Sequence, residues 1–579
     1  MSRPSQRVCL FLLLWACLAL SGCRGSTDKP TPPQTVFFGG AIHPMGVSTT
    51  PYQAMVIEGE RIVFLGTTQQ AKLHAGDGAM YVELSGRTII PGLFDAHLHP
   101  VRGSLKQLYQ CNFAFSANPS DVQAAIKKCV AGQPDSEWII GGQWDSAFFE
   151  SFPLSSPRQL LDEVSGNKAV ILSDDSLHNV WVNSRALELA GITQSTPDPD
   201  NGTIVRQSDG TPSGVLLETA AKMMREVVPE YPPTQIQRAI KVFMVEANAF
   251  GLTGIKDAST YPYESAGWQA VDISQGLSLH VATSLRSVDG RRDTPLDYGA
   301  LEDARDRYRS PGVHTRFVKI FLDGVPTPAR TAGMLAPYLP DHQHPPGFDG
   351  GPLLIEPSTL AADMIELDRR GFTVKIHAAG DRSVRVALDA IEAARKANGP
   401  SGLRHELAHA GYVSDADVPR FGALNAVADL SPILWYPSPI MNAIYQAVGP
   451  ERGHRYFPVR DYLDSGAGLL AGSDWPAVAQ DANPWVGIES LVTRQHPVSG
   501  SPQQLWPEQA ITLREALDIY TLQGARALRL DTDTGSLEVG KLADFLILDE
   551  DLFQMPISNL SEIRPRETWF RGERVYSKQ

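Results

Sequence analysis

Short apolar runs that stop on a histidine or an aspartate, each followed by an amphipathic segment closed by glycine, constrain this chain most. FVKIFLDG (317–324) leads to TLAADMIELDRRG (359–371), and FTVKIHAAGD (372–381) follows at once. SVRVALDAIEAARKANG (383–399), RHELAHAG (404–411), NAVADLSP (425–432) and AGLLAGSDWP (467–476) continue the series. Strands of this kind alternating with helices predict a parallel sheet. Polar residues placed where each strand stops predict a (β/α)₈ barrel, whose active site is built at the strands' C-terminal ends.

Other β signals sit at the two termini. TVFFGG, AMVIEGERIVFLG and YVELSGRTIIPG open the chain, and GSLEVGKLADFLILDE and ETWFRGERVYS close it. Short strands with glycine-punctuated turns at both ends predict one small β-sandwich made from residues 35–90 and 531–579. The barrel then spans 91–530. The stretch 105–313 is too long for one βα unit, so it holds some barrel elements plus an inserted lid.

The N-terminus predicts an address. Arg3 and Arg7 precede an apolar run from Val8 to Leu20, too short for a membrane span but right for a signal peptide over 1–22. Leu20-Ser21-Gly22-Cys23 resembles the lipobox of bacterial lipoproteins, which implies lipidation of Cys23, a tether over 23–34 and attachment to the cell envelope. The expected place is the outer membrane, facing the periplasm. An ordinary secretory signal or short anchor is the alternative. Of five cysteines, this leaves Cys111 and Cys129 in an oxidising compartment, as a disulfide or as two buried thiols. A net charge of −14 without a basic tract argues against nucleic acid as a partner.

The chemistry gathers at the strand ends. His97 and His99 close TIIPGLFDAHLHP and point to one side of the strand, where two imidazoles can share a metal. His377, His409 and Asp474 end three later runs. Lys319 lies within FVKIFLDG, where a bare ammonium is costly to bury. Carboxylation would make it an anionic carbamate able to bridge two metals.

In this order the residues resemble the amidohydrolase superfamily, specifically its amidohydrolase-3 (YtcJ-like) group. The resemblance runs through PGLFDAHLHP, WIIGGQWD, HNVWVNSRALELAGI, SGVLLETA, GLTGIKDA, VKIFLDG, KIHAAGDRSV, HELAHAG, AGSDWP and GSLEVGKLADFLILD. It implies two divalent ions, Zn²⁺ first among them. His97, His99 and Asp474 would hold one, His377 and His409 the other, with carboxylated Lys319 between. A water between the ions would lose its proton and attack, and Asp474 would pass that proton to the leaving amine. The implied reaction is hydrolysis of a non-peptide carbon–nitrogen bond in a small-molecule amide: N-acyl, formamide or cyclic. A lactonase or esterase is the alternative, and an inert lipid-anchored binding protein a third. A homodimer is an assembly open to such a chain.

DDSLHNVWVN departs from the family's D-x-H by one residue, so a substrate role for His178 stands beside a structural one. His405 reads as structural, Asp381 as the cap of the next helix, Asp323 as a loop holder and Glu218 as a lid contact. Trp144, Trp181, Trp435, Tyr436 and Trp475 suggest an aromatic-tolerant pocket unless they are core.

Overall fold

The computed structural model describes residues 33–578, apart from 47, 146, 225, 226, 289, 328, 342, 343, 435, 436 and 478. The signal peptide, Cys23 and most of the tether fall outside the described residues. Eight parallel strands form the central sheet: β1 (Leu93–Leu98), β2 (Leu252–Thr260), β3 (His280–Arg286), β4 (Val313–Phe321), β5 (Thr373–Ala378), β6 (Glu406–His409), β7 (Val427–Leu430) and β8 (Gly468–Ala471). Neighbours in sequence are neighbours in space, as right-handed βα units require. Both β2 and β3 fall inside the 105–313 stretch. Helices Pro357–Arg369 and Asp381–Asn398 stop where expected, before Gly371 and Gly399 in the left-handed region at φ +80° and +76°.

The barrel closes at a seam rather than by a ladder. The Asp474 N–H donates to His97 O, and the His99 N–H to Trp475 O, each at 2.7 Å. The buried Asp95 carboxylate accepts from the N–H groups of His97 and Ser473, both at 3.0 Å. Here Gly472 is obligatory, because a Cβ would lie 2.4 Å from His97 N and 2.6 Å from Asp95 Oδ1. The seam thus joins the backbones that carry His97, His99 and Asp474.

Two further sheets attach to the barrel. The termini meet in one eight-stranded sheet, where Phe545–Leu548 pairs antiparallel with Thr88–Pro91. Its strands are continuously hydrogen-bonded, but the sheet folds over on itself. Phe37 packs edge-on against Phe545 and Trp569 at 5.1 and 5.3 Å, and the Ala543 N–H reaches Glu60 O at 2.8 Å. The expected small sandwich is thus one sheet closed around its own apolar cluster. Asp544 ties it to the strands' N-terminal ends, accepting from His280 Nε2 at 2.8 Å. The inserted element is a six-stranded sheet whose strands, in chain order, run from Cys111–Asn112 to Pro212–Glu218. Cys111 and Cys129 are bonded within it, with Cα atoms 5.9 Å apart. Closing an 18-residue separation contributes about 3 kcal/mol on the loop-entropy model. Among the described residues, no helix is long and apolar enough to cross a membrane.

Candidate metal centre

The strand ends converge as the barrel geometry demands. His97 and His377 sit within β1 and β5, His409 closes β6, and Asp474 follows β8 by three residues. His99 stands immediately before the helix Pro100–Tyr109 and makes no side-chain capping bond to it. His409 and Asp474 have φ +73° and +54°, a conformation costing about 1–3 kcal/mol for a residue with a side chain. That strain turns both side chains into the mouth.

His97 Nε2 and His99 Nε2 lie 3.6 and 3.3 Å from Asp474 Oδ1. Among the described residues this is the one group of three ligand atoms all within 4.8 Å of one another. His409 Nδ1 stands 4.0 Å from the second oxygen of Asp474. The His377 and His409 ring centres are 4.5 Å apart, and those of His97 and His409 5.0 Å.

Hydrogen bonds fix which nitrogen faces the mouth. His97 Nδ1 lies 2.7 Å from Asp429 Oδ2; a carboxylate only accepts, so Nδ1 carries the hydrogen and Nε2 keeps its lone pair. Nε2 is buried and has no hydrogen-bond partner. Likewise His377 Nε2 donates to the Gly324 carbonyl at 2.9 Å, leaving Nδ1 free to ligate. Burial holds His97, His99, His377 and His409 well below the usual imidazole range, and neighbouring positive charge adds to it. Neutral imidazoles, that of His97 with an orphaned lone pair, beside a carboxylate are the donor set a divalent cation takes.

Three lysines are buried inside the barrel, and two are paired. Lys256 Nζ lies 2.5 Å from Glu406 Oε1; Lys375 Nζ is 3.0 Å from Glu406 Oε2 and also bonds Asp429. For Lys319 no carboxylate oxygen among the described residues comes within 4.0 Å of Nζ. Burial, then the charge of Lys375, pushes it down to about 7. It is the odd one of the three.

Residues 81–576 match the model of the amidohydrolase family. The chain belongs to that family. As an amidohydrolase it is a metal-dependent hydrolase. It is 28% identical to the N-substituted formamide deformylase of Arthrobacter pascens over 549 residues, 91% of this chain and 95% of that one. It is 29% identical to Protein LONG AFTER FAR-RED 3 of Arabidopsis thaliana over 517 residues, 86% of this chain and 85% of that protein. An uncharacterized metal-dependent hydrolase from Pyrococcus horikoshii has the same fold, with TM-score 0.69, 22% identity and coverage of 90% and 99%.

The remaining sequence expectations fare differently in this amidohydrolase. His405 is structural: Nδ1 accepts the Val374 N–H and Nε2 lies 3.0 Å from Asp368. Asp323 holds loops, its carboxylate accepting from Gly333, Ala379 and Gly380. Asp381 is not the helix cap. Gly380 occupies that position, and Asp381 instead accepts the Leu335 N–H at 2.7 Å. Trp144 and Trp181 fill the core of the inserted sheet, and Trp475 stacks on Phe243. None of the three lines the pocket, and Trp435 and Tyr436 lie outside the described residues. Its apolar wall is Phe321, Leu354, Leu434, Ile440 and Ile444.

Sequence reasoning missed Asp429, one of two buried polar residues in NAVADLSP. Its hydrogen bond to His97 Nδ1 is the carboxylate–histidine arrangement that orients a metal ligand. Asp429→Asn is expected to weaken metal retention by about 10–100-fold. Residual metal after dialysis against graded chelator measures this; retention equal to wild type would remove Asp429 from the site.

Proposed function

We propose that this amidohydrolase cleaves a non-peptide carbon–nitrogen bond, an N-substituted formamide or N-acyl amide ahead of a cyclic amide. The observation that carries the reading is the cluster of His97, His99 and Asp474, with the lone pair of His97 Nε2 buried and unsatisfied. The deformylase relative supports the amide class. His97, His99 and Asp474 would hold one ion, and His377 and His409 a second, with Lys319 between. When bound, divalent zinc supplies Lewis-acid polarisation of the scissile carbonyl and acidifies water. Asp474 takes a proton from the attacking water and delivers it to the leaving nitrogen as the C–N bond breaks. Lys319 first gives up one proton to become a neutral amine. Its nitrogen then forms an N–C bond to carbon dioxide with release of a second proton, so that an isolated buried cation becomes an anionic carbamate. The apolar wall from Phe321 to Ile444 receives the substrate's hydrocarbon part. Lipidation at Cys23 and residence in the cell envelope complete the proposal.

Zinc-loaded protein assayed on formamides, N-acyl amino acids, hydantoins and lactones tests it. Amide turnover that stops on chelation and returns with metal is expected. Turnover confined to lactones would overturn the bond assignment.

A further inference from the structure

The inserted sheet delivers two polar side chains into the mouth of the barrel. His178 lies between the strands Ala169–Asp174 and Val180–Val182, and Glu218 ends the strand Pro212–Glu218. Both line the same pocket as His97, His377 and Asp474. His178 Nδ1 lies 2.9 Å from Glu218 Oε2, so Nδ1–H donates and Nε2 is the nitrogen left for the pocket. The His178 ring centre stands 5.6 Å from that of His377.

Glu218 is held from three sides. Its Oε1 accepts from the Thr331 hydroxyl, its own N–H donates to Asn179 Oδ1 at 3.1 Å, and its φ is +52°. Gly324 allows this approach, since a Cβ there would lie 2.2 Å from Thr331 Oγ1 and 2.6 Å from Glu218 Oε1. The carbonyl of the same Gly324 receives His377 Nε2–H. A nearly fully buried carboxylate in strained backbone is thereby spent on one imidazole and one barrel loop.

We propose that Glu218 is a positioning residue that presents His178 to the substrate across from the metal ligands. His178 then touches the reacting amide through Nε2, and Glu218 acts only through it. The inserted sheet supplies a working part of the site, not a cover alone. This rests on the amide-hydrolase reading above.

A double-mutant cycle with Glu218→Gln and His178→Asn, run on the best amide of the panel, tests the assignment. Each single variant is expected to lose about 10–100-fold in kcat/KM, mainly through kcat, with metal content and Tm as in wild type. The double variant should be no worse than either single one. Multiplying losses, a wild-type kcat in Glu218→Gln, or metal lost with Glu218→Gln would overturn the proposal, the last because Glu218 would then act through Gly324 and His377. ¹⁵N-histidine spectra separate this from failure of the amide reading. The His178 Nδ1–H resonance should lie downfield in wild type and move upfield in Glu218→Gln whether or not any amide is turned over; a resonance indifferent to the substitution would refute the pairing.

Discussion

Replacing Asp474 by Asn is expected to lower kcat by about 10²–10⁴-fold while the protein keeps most of its metal. Asparagine preserves the shape and one oxygen, so His97 and His99 still face an acceptor at about the same place. What it loses is the capacity to take up and return a proton. Burial pushes the Asp474 carboxyl up from the usual carboxylate range, against the opposing charge of Lys319. A bystander aspartate would behave in the opposite way, costing stability and sparing turnover. Measuring kcat, metal content and Tm together distinguishes the two.

Lys319→Ala is expected to abolish turnover, with partial recovery on adding short carboxylic acids together with metal. Lys256 and Lys375 have carboxylate partners within 3.0 Å, while Lys319 has none among the described residues. Burial lowers it far enough to leave neutral amine available to carbon dioxide near neutral pH. A small carboxylate in the space left by alanine would replace the carbamate oxygens. Intact-protein mass under non-denaturing conditions and the rescue assay check this; full activity in the alanine variant would refute it.

The barrel is legible in the sequence because its signals are local. Strand runs, glycine stops and the polar residue at each strand end all lie within about ten residues of one another. The same holds for His97, His99, His377, His409 and Asp474. What escapes is long-range. Asp429 reads as one more polar residue in a short strand until it meets His97, more than 300 positions earlier in the chain. Lys375 is flanked by apolar residues just as Lys319 is, so sequence does not tell that paired lysine from the unpaired one. Trp144 and Trp181 are candidates for the pocket because large aromatics suit either place; the inserted sheet needs them for its own core. Asp381 reads as a cap because it stands at the start of a helix, but Gly380 already adopts the extended cap conformation, leaving Asp381 to bind a neighbouring loop.

The most direct test of the account is metal content measured beside amide hydrolysis, in wild type and in His97→Ala, on protein never exposed to chelator. The account predicts at least one divalent ion per wild-type chain, zinc first among the candidates, with metal and turnover lost together in His97→Ala. Wild-type protein that hydrolyses amides without metal, or a His97→Ala variant that keeps both, would contradict it.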